Sequence, residues 1–131
     1  MIVVDASALL EVLLNRAAAA RLRWRLFAPK ETLHAPHLLD VEVLQVLRRY
    51  SLRSELSDQD ADAVIRIYGS LPIARYTHEP LLERAWQMRA NVTAYDAIYI
   101  ALAEALGAVF VTSDVRLAKS VANHVRVEVF A

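Results

Sequence analysis

The chain has 131 residues, room for one domain and no second full core. At 56% hydrophobic and 23% charged it is too apolar for disorder, and the apolar share implies surface that needs a partner. Fifteen acidic residues balance 15 basic ones, 13 of them Arg, so no net positive field recruits nucleic acid; the absence of Cys removes disulfides, thiolate metal sites and a Cys nucleophile, and Gly69 and Gly107 alone cannot write a phosphate or dinucleotide loop.

In chain order, Ile2–Asp5 reads as a short β-branched strand, and a helix follows over Ala6–Leu14 that Asp5 or Ser7 can cap. The opening MIVVDASALLEVLL has no basic n-region and no small-residue cleavage site, so it does not read as a secretory leader. No apolar run reaches the roughly 18 residues that span a bilayer, and the expected address is the cytoplasm. An Ala-rich helix over Ala17–Phe27 carries Arg21, Arg23 and Arg25 and is closed by Pro29. Thr32–Ala35 is a strand candidate, and Pro36 opens a long helix over His37–Leu52, with Leu39, Val43, Val46, Leu47 and Tyr50 at helical spacing. Ser57, with Asp60 three residues on, starts a helix that runs to Tyr68 and stops at Gly69. Ile73–Tyr76 is a third strand, and Glu79–Arg89 is helical with Pro80 in its first turn. Thr93 caps a strongly apolar helix through Leu106, closed by Gly107. Ala108–Thr112 is a fully apolar strand, Val115–Ser120 a short helix, and Arg126–Phe130 an alternating last strand. The alternation predicts one α/β domain over residues 1–131: a central parallel sheet of about four to five short strands, flanked by helices through right-handed crossovers. Its binding crevice belongs at the carboxyl ends of the strands.

Acids sit where that crevice falls. Asp5 ends the first strand and Asp114 follows the strand AVFVTS; each also reads as a helix N-cap. Glu42, in HLLDVEVLQVLRR, has Leu38, Leu39 and Val46 as helical neighbours, a setting where a carboxylate is costly without a cation; an ion pair to an Arg such as Arg48 or Arg49 is the alternative reading. Asp96 is in the first turn of TAYDAIYIALAEALG, at capping-box spacing from Thr93, and taken alone reads as part of a cap. In a parallel sheet, strand ends and the helix starts beside them share one edge. Asp5, Glu42, Asp96 and Asp114 converging there could not all stay ionised without a cation, and hard oxygen donors suit Mg²⁺ or Mn²⁺. Ser7, Thr112 and Ser113 lie beside the acids, placed to hydrogen-bond metal-bound water. Asp40 stands about 200° round the helix from Glu42 and reads as a solvent-facing or dipole residue. His34, His37, His78 and His124 are scattered, without zinc-ligand spacing. Trp24, Trp86, Tyr95 and Tyr99 read as core or interface aromatics.

The runs IVVDASALLEVLL, APHLLDVEVLQVLRR, TAYDAIYIALAEALGA and VFVTSDVRLA resemble the four acidic motifs of PIN domains, and their order and the chain length resemble the VapC toxins of bacterial toxin–antitoxin pairs. The resemblance spans essentially the whole chain. It implies a Mg²⁺- or Mn²⁺-dependent endoribonuclease, a homodimer, inhibited by a cognate VapB-like antitoxin. It places the metal-binding and catalytic acids at Asp5, Glu42, Asp96 and Asp114, with Ser7 and Thr112 or Ser113 at the small hydroxyl positions. Where family members often carry Asn after the helix acid, this chain has Gln45. RNA phosphates would need basic residues near so acidic a centre, and Arg16, Arg21, Arg23 and Arg25 form the densest basic region. The helices at Ala17–Phe27 and His37–Leu52 are the expected walls of an antitoxin groove.

Two other classes compete. Aspartyl phosphotransfer would use Asp5 as nucleophile, but no second acid forms a D-x-D and Lys119, on a helix, is the only candidate lysine. A non-catalytic partner-binding module is favoured by the apolar excess alone.

Overall fold

The central runs IVV and VFVT form strands that helices cover on both faces, as a parallel sheet requires, while the edge runs IARY and VEV are only partly covered. The computed structural model describes all 131 residues. Its strands are β1 (Ile2–Val4), β2 (Leu33–Pro36), β3 (Ile73–Tyr76), β4 (Val109–Thr112) and β5 (Val127–Val129). The helices are α1 (Ala6–Leu13), α2 (Ala19–Leu26), α3 (Leu38–Leu52), α4 (Asp58–Ser70), α5 (Leu82–Gln87), α6 (Ala94–Leu106) and α7 (Val115–Val121). All five strands are parallel, in the order β3-β2-β1-β4-β5. Ile2 registers with Leu33 on one side and Val109 on the other.

That order fixes the layers. The chain steps from β1 to β2 to β3, then returns past β1 to lay down β4 and β5. Right-handed crossovers therefore put α1–α4 on one face and α5–α7 on the other. Accordingly α1 packs on α2, α3 and α4, while α6 packs on α5 and against β1, β2 and β4. The direction reverses between β1 and β4, the switch point where an open sheet leaves a crevice. No helix is long and apolar enough to cross a membrane.

Local chemistry moves several boundaries. Gly69 lies inside α4 with no positive φ; the helix ends at Ser70 because Leu71, preceding Pro72, is forced extended. Gly107 does close α6, in the left-handed region at φ 61°. Pro36 is the last residue of β2 rather than the first of the helix. The segment over Glu79–Arg89 is shorter than its periodicity: a 3-10 turn at Glu79–Leu81, then α5. Tyr99 is core, but Trp24 and Trp86 are not; they stand 80% and 67% exposed. Val41, Leu52, Leu82 and Tyr95 are exposed as well, so the apolar excess does reach the surface.

Asp40 stands in the first turn of α3, where its charge suits the helix dipole as expected, but it is not simply solvent-facing. Arg75 Nε donates to Asp40 Oδ1 at 2.8 Å and the Tyr68 hydroxyl donates to the same oxygen, tying α3 to β3 and α4. Burial pushes the Asp40 carboxyl up, but the bonds from Tyr68 and Arg75 outweigh it and hold the group below its ordinary value. A depressed folded value stabilises above the unfolded one and is lost as pH falls through the folded one. Because the pair is part-exposed, Asp40→Asn is expected to cost about 1 kcal/mol at neutral pH. Denaturant melts across pH should find the gap from wild type closing below pH ~4.

Candidate active site

The switch point is closed by one buried carboxylate. Asp5 leaves β1 as the N-cap of α1 and is only 7% exposed. Its Oδ1 accepts from the Ala8 amide at 3.0 Å and from Ser7 Oγ at 2.7 Å, and its Oδ2 accepts from Thr112 Oγ1 at 2.5 Å. The hydroxyls are themselves fixed from β4's end: the Ser113 amide donates to Ser7 Oγ at 2.9 Å and the Asp114 amide to Thr112 Oγ1 at 3.0 Å. The result is a clasp joining β1 to β4. Burial nevertheless dominates, with a smaller push from the charge of Asp96, and the Asp5 carboxyl is raised to about 6.

The other acids lie on α3, at the start of α6 and at the N-cap of α7. Asp114 caps α7, accepting from the Leu117 amide at 3.0 Å, and its own side chain is solvent-facing. Asp96 lies in the first turn of α6, but the cap there is Thr93, whose Oγ1 accepts from the Asp96 amide at 3.2 Å. The Asp96 carboxylate is raised by burial and then by the charge of Asp114, against a hydrogen bond from Thr93. Glu42, one turn into α3, makes no ion pair with Arg48 or Arg49; it accepts from the Tyr99 hydroxyl at 2.6 Å. Burial raises it, and the charge of Asp96 adds to that. Asp96 is thus the acid whose field reaches Asp5 and Glu42, and the field of Asp114 reaches Asp96.

This donor set fits a hard divalent cation. Every donor atom in it is oxygen, and the charge of Asp96 raises Asp5 and Glu42 while that of Asp114 raises Asp96, a repulsion that a cation would relieve. At the same edge Ser113 Oγ is buried with no hydrogen-bond partner. The side chains do not form a finished cage, however: no group of three or more His, Asp or Glu stands arranged to hold a metal.

The basic residues fall differently from the sequence expectation. Arg25 is spent in the fold, its Nε donating to Glu128 at 2.6 Å and its Nη1 to Glu31 at 2.8 Å. Arg21 donates to the Ala131 carbonyl, Arg23 to Asn15, and Arg16 to the Tyr50 hydroxyl; all three are exposed. Arg89 and Arg116, which the sequence reading passed over, line one open cleft of about 630 Å³ with Thr93, Asp96 and Asp114. The position of Arg116, two residues after Asp114, was the available signal.

The family model for the PIN domain matches residues 2–122. Ribonuclease VapC9 of Mycobacterium tuberculosis is 46% identical over 117 residues, covering 89% of this chain and 88% of that one. Ribonuclease VapC12 of the same organism is 40% identical over 131 residues, covering both chains fully. Among solved structures, a toxin–antitoxin complex from Klebsiella pneumoniae superposes with a TM-score of 0.73 at 16% identity, over 100% of this chain and 98% of that one. The M. tuberculosis toxin VapC20, described as cleaving the sarcin-ricin loop, gives 0.69 at 19% identity, covering 92% and 95%. At those identities the structural matches speak for the fold.

The Asp5 clasp makes a thermodynamic prediction. A carboxyl raised in the fold stabilises fully below its unfolded value, near 4, and loses that contribution as pH rises through about 6. A shift of this size corresponds to roughly 3 kcal/mol against the ionised clasp at pH 8. Asp5→Asn should therefore melt several degrees above wild type at pH 8 in chelator, with the advantage gone by pH ~4.

Proposed function

Because this chain belongs to the PIN-domain family, among its VapC ribonucleases, we propose that it hydrolyses RNA phosphodiester bonds at the carboxyl edge of its sheet with Mg²⁺ or Mn²⁺ held by Asp5, Glu42, Asp96 and Asp114. The observation that supports the proposal is one clasped, desolvated carboxylate, Asp5, within reach of the charge of Asp96, which is itself within reach of the charge of Asp114. When bound, the cation would lower the pKa of a water and offset charge developing on the phosphate.

The chain's own residues prepare that edge. Ser7 and Thr112 hold Asp5 by both oxygens and fix its plane, so the carboxylate meets its ligand without reorganising. Thr93 takes over the capping of α6, so the Asp96 carboxylate is not needed as the cap. Ser113 Oγ, buried without a partner, supplies a hydroxyl for a solvent molecule at the centre. Arg89 and Arg116 flank the acids and draw the phosphate backbone to a surface that would otherwise repel it. Arg16, Arg21 and Arg23 would contact RNA further out; Arg25, locked to two glutamates, would not.

The partner is a VapB-like antitoxin, in keeping with the toxin–antitoxin complex from Klebsiella pneumoniae among the structural relatives. Leu22, the central apolar residue of α2, is fully buried, so the apolar handle that α2 offers is Trp24, beside Arg21 and Phe130. Association of two copies as a homodimer is part of the same reading and is measured by light scattering. Aspartyl phosphotransfer has no support here: no second acid forms a D-x-D with Asp5, and Lys119, the one candidate lysine, is exposed on α7.

Asp96→Asn is the decisive variant because the Thr93 cap survives it. RNA cleavage should fall below detection while stability changes by at most about 1 kcal/mol. Wild-type activity in folded Asp96→Asn would overturn the site. In parallel, millimolar Mg²⁺ or Mn²⁺ should raise the melting temperature of the antitoxin-free wild type and leave that of the Asp5→Asn, Asp114→Asn double variant unchanged.

A further inference from the structure

Glu42 is the odd member of the acidic group. Asp5, Asp96 and Asp114 sit at element starts next to the clasp, where capping and backbone bonds hold them or their helices. Glu42 instead projects from within α3, on a longer side chain with more rotamers to freeze. No cation of the protein pairs with it, and its one side-chain hydrogen bond comes from Tyr99 at 2.6 Å.

Tyr99 is built to be immobile. It is 1% exposed, and its ring stacks tilted on Phe110 of β4 with centroids 6.3 Å apart. Phe110 precedes by two residues the Thr112 that clasps Asp5. Tyr99 also follows Asp96 by three residues on α6, so the two share a helix face. A phenol has a single proton to give, so it can hold one oxygen of Glu42 and must leave the other free.

We propose that Tyr99 is a positioning residue for the cation site: its hydroxyl pins Glu42 Oε1, so that Oε2 is presented toward Asp96 for the metal. The proposal rests on the metal reading given above. The phenol acts through Glu42 and touches neither metal nor RNA. The same hydrogen bond ties α3 on one face of the sheet to α6 on the other, so the position of the fourth acid is set by the opposite layer.

The test is direct Mn²⁺ binding, followed by electron paramagnetic resonance on the antitoxin-free protein without RNA. Tyr99→Phe keeps the ring and removes the donor. Its Mn²⁺ dissociation constant should rise about 10-fold, as loss of a hydrogen bond to a metal ligand does elsewhere. The KM for RNA should stay at the wild-type value, and activity should recover as Mn²⁺ is raised. In a Glu42→Gln background the same substitution should cost nothing further. Should Tyr99→Phe fail to fold, 3-fluorotyrosine at position 99, which keeps the ring and the hydroxyl but makes it a stronger donor, should lower the Mn²⁺ dissociation constant, and an unchanged constant would overturn the role. Unchanged Mn²⁺ affinity in the folded single variant, or an equal loss in the Glu42→Gln background, would overturn the role of Tyr99. If Asp96→Asn abolishes Mn²⁺ binding while Tyr99→Phe leaves it intact, this inference alone falls. If the wild type binds no Mn²⁺, the metal reading falls and takes this one with it.

Discussion

A carboxylate buried at the switch point of a parallel sheet is the constraint on which the rest of the structure turns. Asp5 cannot leave, because it caps α1 and completes the β1 end, and it cannot ionise freely, because it is desolvated. The molecule answers with two hydroxyls, Ser7 from its own helix and Thr112 from the neighbouring strand, each supplying a proton to one oxygen. Three protein hydrogen bonds still leave the group raised, so the clasp is a strained polar centre in an apolar sheet. Such a centre is weak support for stability and strong preparation for a ligand that brings positive charge.

The remaining acids are delivered by topology. The α6 helix runs antiparallel to the strands and starts at their carboxyl edge, so Asp96 arrives in its first turn. The α3 helix starts at the same edge after β2, on the opposite face, and brings Glu42. Between them pass the buried side chains of β1 and β4, with Val3, Val4 and Phe110 fully enclosed. The sheet is therefore both the core and the spacer that sets how far apart the acids stand. Asp40 belongs to a different task on α3: with Arg75 and Tyr68 it fixes the helix to α4 and β3, while Glu42 faces α6.

Much of this was legible in the sequence, because the central strands β1 and β4 are β-branched, apolar runs and α1, α4, α6 and α7 carry their own side-chain caps. Thr93, Ser57 and Gly107 act as read, each satisfying or releasing the backbone at one end of a helix. The positions of Asp5, Asp96 and Asp114 followed from strand ends and the crevice rule. Pairwise contacts were hidden. Nothing local marks Arg75 as the partner of Asp40, or Tyr99 as the donor to Glu42, since those pairs lie 35 and 57 residues apart. The stop at Gly69 misled because glycine permits a left-handed residue without requiring one; Pro72 imposed the end instead. Trp24 and Trp86 were read as core or interface by size, and only packing showed that their faces are outside the fold.

The bond from Thr112 to Asp5 spans 107 residues of chain, and that separation orders events in time. Local helices form early, but the clasp needs β4 laid beside β1, a non-local pairing that closes slowly. A chain interrupted before Thr112 carries β1, α1 and Asp5 but lacks the strand that registers beside β1 and the hydroxyl that holds Asp5 Oδ2, so the polar centre cannot be assembled piecemeal.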